Sequence, residues 1–290
     1  MKDKSWSIVR KRVQEHFNYL QELGYDVVCT CLQGSQNYEL DEYTEEYMSD
    51  VDTKSIIMPS LEDFVKGRQP VSTIEEMDNG EHAEVKDIRV MFEMFKKMNI
   101  SYIELLYSKH IIINPKWEDL ILPLFQERDL ISGHFRTQFI RCIVGMALEK
   151  QKALCHPYPN IADKIEKYGY DGKQLSHCYR LLDFLEKYQE GLPIAACYIV
   201  GEPARTIMMN FKKQLWPHGR SVMPKEEAVE YCDAIVNLIK KKRDEMIGGS
   251  ADVPLLEART FLDELQYKMI KEKMRRELLE GEEKNDVNNG

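Results

Sequence analysis

The sequence predicts an α+β fold, a small mixed sheet followed by a helical region, on three observations. Short β-branched or apolar runs are confined to the first 115 residues. After residue 116 the apolar positions recur at helical spacing. Glycine, proline and asparagine clusters separate the early runs. The chain is therefore read as a sheet-containing domain over 1–115, a helical domain over 116–280 and a polar, disordered tail over 281–290.

Trp6, Val9, Val13, Phe17 and Leu20 share one helical face, so a helix is expected over 5–23, closed by Gly24. Tyr25–Leu32 reads as a buried strand, with Gly34-Ser35 immediately after it. Tyr38–Met48 is acidic and aromatic and reads as a loop or short helix, and Val51–Met58 as the second strand. Gly67, Pro70, Asp78-Asn79 and Gly80 make 60–80 a mobile excursion. A third strand is expected at His82–Lys86. Asp87 then caps a helix carrying Ile88, Met91, Phe92, Phe95 and Met98. A short helix is expected at 102–107 and an edge segment at His110–Ile113, stopped by Pro115. Longer helices are expected near 134–152, 173–190, 225–246 and 254–280.

Composition narrows the class. The 290 residues are 43% hydrophobic and 31% charged, which fits a packed chain and excludes global disorder. A net charge of −9 argues against coating nucleic acid by bulk electrostatics. No run of 18 apolar residues predicts a membrane span. The opening residues lack a signal-like apolar run, and the seven cysteines are an odd number. A cytoplasmic setting with reduced thiols is expected. Cys29 and Cys31 form a C-x-C without a second ligand pair nearby, so they are read as small buried residues on one strand face rather than zinc ligands.

Asp50 and Asp52 carry the chemistry. On a strand they point to one side and Val51 to the other. Two adjacent carboxylates repel unless a cation sits between them. Magnesium prefers one or two carboxylates together with phosphate oxygens. The Gly34-Ser35 turn lets backbone amides and a hydroxyl approach a phosphate closely. A two-metal site wants a third carboxylate, for which Glu84 and Asp87 compete; Asp87 already has a capping role, so Glu84 is preferred. Lys54 lies on the same strand face as Asp52, to bind phosphate or to neutralise the acids. On the helix at 173–190, Lys173, His177 and Arg180 fall within about 60° of one another, opposite Leu175, Cys178, Leu182 and Leu185. Such a stripe is either a solvated face or a phosphate-binding one. His82 and His134 are given ordinary structural roles. The basic runs 240–243 and 271–276 are read as solvated helix faces, since acids lie close by.

In order and spacing, Gly34-Ser35-x-x-Tyr38-x-Leu40 and Ser49-Asp50-Val51-Asp52 resemble the DNA polymerase β-type nucleotidyltransferase superfamily. The resemblance runs over roughly 25–192. With Lys86-Asp87-Ile88-Arg89, the Glu104-Leu105-Leu106 segment and Lys173…His177…Arg180-Leu181-Leu182, it extends to the nucleotidyltransferases of bacterial and phage RNA-repair operons. Three features depart from that pattern: a longer segment between turn and acids, Asn99-Ile100 in place of Asn-Pro, and a third acid that is not cleanly fixed. The resemblance implies transfer of a nucleoside monophosphate from a triphosphate to an acceptor hydroxyl, with release of pyrophosphate. It implies two magnesium ions, or manganese, on Asp50, Asp52 and Glu84. The nucleotide would be bound by Gly34, Ser35, Lys54, Lys173, His177 and Arg180, with the helical domain closing the cleft. An RNA end is the favoured acceptor. A protein side chain, or an inactive nucleotide- or RNA-binding scaffold, is the alternative.

Overall fold

The computed structural model describes residues 2–43, 48–249 and 252–288. The first helix, α1 (Lys2–Glu22), leads into β1 (Asp26–Gln33). A 3-10 turn (Ser35–Tyr38) follows, then β2 (Asp52–Met58), α2 (Leu61–Val65), β3 (Ser72–Glu76) and β4 (His82–Asp87). Next come α3 (Ile88–Lys96), α4 (Ile100–Ile103), β5 (Ile111–Ile113), α5 (Glu118–Gln126) and α6 (Arg128–Gly133). The strands form one mixed sheet in the order β3-β4-β2-β1-β5. Within it β2 and β4 run parallel and the other neighbours antiparallel.

One sheet face is covered by α1, whose Val9, Val13, Phe17 and Leu20 are buried against Val27, Leu32, Val51, Ile57, Ala83 and Val85. Full burial of each such side chain is worth about 1.5–3 kcal/mol. On the other face, register aligns Cys31 with Lys54 and Lys54 with Glu84. Cys29 and Cys31 are buried free thiols there. The Cys31 hydrogen bond and burial raise the Cys29 thiol well above its usual range, which disfavours the thiolate that zinc requires.

The excursion expected over 60–80 is ordered instead. Ser60 and Asp63 form a reciprocal capping box that starts α2, and β3 pairs with β4 from Ser72↔Lys86 to Glu76↔His82. β3 escapes notice because it is an exposed edge strand, Ser-Thr-Ile-Glu-Glu, without an apolar run. Asn99 caps α4 by accepting from the Ser101 amide at 3.0 Å, so Asn99-Ile100 opens a helix without a proline.

The helical unit comprises 135–253 together with the short segment 37–41. It contains α7 (Arg136–Ala153), α8 (Ala162–Tyr168), α9 (Gly172–Gln189), α10 (Ile194–Cys197), α11 (Ala204–Lys212) and α12 (Lys225–Ile247). Buried on α9 are Leu175, Cys178, Leu182 and Leu185, as its period requires. Phe139 of α7 meets Phe184 of α9 edge-to-face at 5.8 Å. Gly172 opens α9 where an added Cβ would stand 1.9 Å from the Phe211 carbonyl oxygen of α11.

The final helix, α13 (Leu256–Asn288), belongs to the sheet-containing unit, which comprises 1–36, 42–134 and 254–290. The boundary at 115 and the assignment of 254–280 to the helical domain are therefore revised. Ala258, Leu262, Leu265 and Met269 are the buried face of α13, which packs on α3 and α5. Lys273 reaches Asp26 at the start of β1 with a 2.6 Å hydrogen bond. The helix passes Gly281, where a disordered tail was expected. One helical glycine costs only about 1 kcal/mol, and the surrounding Glu and Lys are good helix formers. Only 289–290 of that tail lie outside the described residues.

Two expectations follow. Gly172→Ala forces α9 and α11 apart and lowers stability by about 1–3 kcal/mol, read from thermal melting. Asp26 gives the second. Burial alone would raise its carboxyl, but hydrogen bonds from Lys273 and Trp117 outweigh that and hold it below the usual 3.8. Its contribution is therefore complete above that value and is lost as pH falls through the lower folded one. The melting-temperature gap between wild type and Asp26→Asn is expected at pH 7 and should close in acid.

Candidate functional site

The site begins where β1 ends. Gly34 has φ +91, a left-handed conformation that suits glycine and turns the chain into Ser35. The Gln33↔Asp52 pairing brings Asp52 beside that turn. A Cβ on Gly34 would stand 3.7 Å from Asp52 Oδ2, so the turn lies directly against that carboxylate. Gln36, fully buried, donates from Nε2 to the Asp50 carbonyl at 2.7 Å and to Tyr43 Oη at 3.1 Å. The turn and the acidic pair are thus bonded to each other through Gln36, which the sequence reading did not single out.

Asp50 is exposed, Val51 buried and Asp52 half-exposed, the alternation expected for this segment. Ser49 secures the approach: it exchanges hydrogen bonds with Glu42, donating its amide to the Glu42 carbonyl and accepting the Glu42 amide on Oγ, both at 2.9 Å. Val51 donates its amide to Glu81 Oε1 at 3.1 Å. Asp52 Oδ1 stands 3.6 Å from His82 Nδ1. His82, given only a structural role by sequence, is thus beside the acid pair, because the parallel Thr53↔Ala83 register carries β4 past β2 at that height.

Glu84 and Lys54 are placed differently from expectation. They pair with each other at 2.8 Å across the register position Lys54↔Glu84. Lys54 is 2% exposed, donates to the Ser101 carbonyl at 3.2 Å and lies 4.2 Å above the Tyr102 ring. Lys86 stands 3.5 Å from the other Glu84 oxygen. Here Lys54 is a buried counter-ion to Glu84, the neutralising one of its two expected roles, and Glu84 has Lys54 as its nearest charged partner. Asp87 does not replace it: buried, it caps α3 through the Arg89 amide at 2.8 Å and pairs with the Arg89 guanidinium at 2.6 Å. Among the described residues no three His, Cys, Asp or Glu side chains are gathered as a metal-holding group. Asp50 and Asp52 are hard oxygen donors, a set that fits a magnesium-like ion completed by phosphate and water.

In the helical unit, Lys173, His177 and Arg180 lie on α9, whose first turn Asp171 caps through the Lys173 amide. Lys173 is exposed and His177 half-buried. Arg180 is buried, its guanidinium 3.9 Å over the ring of Tyr38. His177 is held well below the usual imidazole range, first by burial and then by Arg180, Lys150, Lys173 and Lys212. Four cations thus act on it. Lys150 of α7 and Lys212 of α11 were not foreseen, since no local spacing links three separate helices. Lys212 also donates to the Leu40 carbonyl at 2.8 Å and Arg205 to the Glu39 carbonyl at 2.7 Å, fixing the segment after the Gly34-Ser35 turn.

No family model and no curated protein matches the chain. Among solved structures it is similar to the nucleotidyltransferase-like protein from Exiguobacterium sibiricum 255-15, with 8% identity over 89% of each chain and a TM-score of 0.27. A likeness that slight does not establish a shared fold.

The Lys54–Glu84 assignment has a direct consequence. Lys54→Met leaves Glu84 without its main cation and is expected to cost about 3 kcal/mol, the lower end for a broken buried pair because Glu84 is partly exposed. Denaturant unfolding measures it. Lost nucleotide affinity at unchanged stability would return Lys54 to phosphate binding.

Proposed function

We propose that the protein is a divalent-metal-dependent nucleotidyltransferase. One observation carries the reading. Asp50 and Asp52 flank a Val51 whose amide is bonded to Glu81, and Asp52 stands against a positive-φ Gly34-Ser35 turn. Magnesium or manganese at that position supplies charge neutralisation at the phosphate under attack. Asp50 and Asp52 hold the ion, and the turn offers its amides and the Ser35 hydroxyl to phosphate oxygens. In the helical unit, Lys173, Arg180, Lys150 and Lys212 form a second group suited to phosphate, and His177 accompanies them as a neutral hydrogen-bonding side chain. In the reaction the acceptor oxygen bonds to the α-phosphorus, the bond to the bridging oxygen breaks, pyrophosphate leaves and the hydroxyl proton passes to solvent. An RNA end is the acceptor favoured by the resemblance to repair-associated nucleotidyltransferases; a protein hydroxyl is the other acceptor class. A cytoplasmic setting accompanies the proposal, supported by seven free cysteines. Among the described residues no helix is long and apolar enough to cross a membrane.

A second reading is a nucleotide-binding scaffold without turnover. The pairing of Glu84 with Lys54 favours it, because among the described residues it engages the expected third carboxylate of a two-ion reaction with a lysine.

Incubation with labelled nucleoside triphosphates and magnesium, with and without an RNA oligonucleotide, separates them. The enzyme reading expects metal-dependent pyrophosphate release that falls more than about 100-fold in Asp50→Ala or Asp52→Ala, beyond the loss typical of supporting residues. Saturable nucleotide binding without release supports the scaffold. Release that survives the double substitution sinks the site.

A further inference from the structure

The inward face of α1 is apolar at Val9, Val13, Phe17 and Leu20, yet His16 lies among them with no exposed surface and Arg12 beside it is half-buried. Both face Glu81, itself 7% exposed, in the connection between β3 and β4. His16 Nε2 is 3.2 Å and Arg12 Nη1 3.6 Å from Glu81 Oε2, and Asn79 Nδ2 donates to the same oxygen at 2.9 Å. The other oxygen, Oε1, accepts the Val51 amide at 3.1 Å. His16 Nδ1 lies 2.9 Å from Thr53 Oγ1.

Buried charges cost stability unless fully bonded, and apolar side chains of similar size often serve a core better. The bonds made here go to one place. Val51 precedes the first ladder pair of β2, Gln33↔Asp52, so its buried amide needs an acceptor from elsewhere. Glu81 supplies a charged one. His16 fixes the hydroxyl two residues on, and Gln36 fixes the Asp50 carbonyl. The backbone is thereby fastened before Asp50, between the two acids and after Asp52, and on the α1 side the fastening comes from charged or titratable groups. Burial would push the Glu81 carboxyl up, but its bonds from His16, Asn79 and Val51 hold it below the usual range, so it stays an anion.

We infer that Glu81 and His16 are positioning residues that set the divalent-cation affinity of the Asp50–Asp52 pair from behind the strand. The inference rests on the metal-site reading above. Fixing a ligand's backbone removes the freedom two repelling carboxylates would otherwise use to turn apart, and partners of this kind commonly set metal affinity within a 10–100-fold range.

The test is Mn2+ titration of the full chain followed by electron paramagnetic resonance, with Mn2+ alone and with Mn2+ plus ATP. Each variant is measured well below its own melting temperature, so that lost stability does not enter. Glu81→Ala is expected to weaken Mn2+ binding by about 10–100-fold. Glu81→Gln keeps an oxygen for the Val51 amide and should retain most of the affinity. Wild-type affinity in folded Glu81→Ala overturns the inference and leaves Glu81 a structural residue. Where Glu81→Ala does not fold, His16→Gln decides: weaker Mn2+ binding supports the inference and unchanged binding overturns it. Asp50→Ala combined with Asp52→Ala is the separate arm. If that protein binds Mn2+ like wild type, the metal site itself is wrong. If it loses Mn2+ while Glu81→Ala does not, only the positioning role fails.

Discussion

Side-chain alternation along residues 50–54 is the constraint on which the rest of the sheet-containing unit depends. Val51 and Thr53 face α1, while Asp52 and Lys54 face the other way. A one-residue slip would bury the acids and expose the valine, so the register with β1 and β4 is strongly determined. That register has two results. It sets Asp52 against the Gly34 turn, and it sets Lys54 opposite Glu84. The same geometry that places a carboxylate pair at the strand's start therefore gives Glu84 a lysine partner, two residues further in.

Buried charge is placed in this unit with a consistent logic. Lys54 meets Glu84, Asp26 meets Lys273, and Glu81 meets His16. In each case a further hydrogen bond is made, to a carbonyl by Lys54 and from an indole or an amide to Asp26 and Glu81, which is what makes a desolvated ion tolerable. The three have different consequences. Asp26–Lys273 fastens the last helix to the first strand, over 247 residues of sequence. Lys54–Glu84 joins two parallel strands. Glu81–His16 alone acts on the backbone between the candidate ligands.

Much of the fold was legible because period and burial coincide: α1, β1, β2, β4, α9 and α12 all carry apolar positions at the spacing their structure needs. What was missed lacked that signal. β3 is exposed on an edge, and α2 is five residues long with a polar cap. Which unit α13 joins depends on long-range packing that no local pattern encodes. The Asp50–Val51–Asp52 alternation was readable for the same local reason. Its surroundings were not: His82, Glu81, His16 and Gln36 reach the segment only through strand register and α1 docking. The pairing of Glu84 with Lys54 was not readable either, because the two are 30 positions apart in sequence and adjacent only across the sheet.

The helical unit presents the complementary case. The four charges that act most strongly on His177 are all positive. Lys212 also donates to the Leu40 carbonyl, and Arg180 lies over the Tyr38 ring. Crowding of this kind already holds Lys150 below its usual range, first by burial and then by Arg180. Burial comes first in holding the His177 imidazole below its usual range, and the four cations add to it.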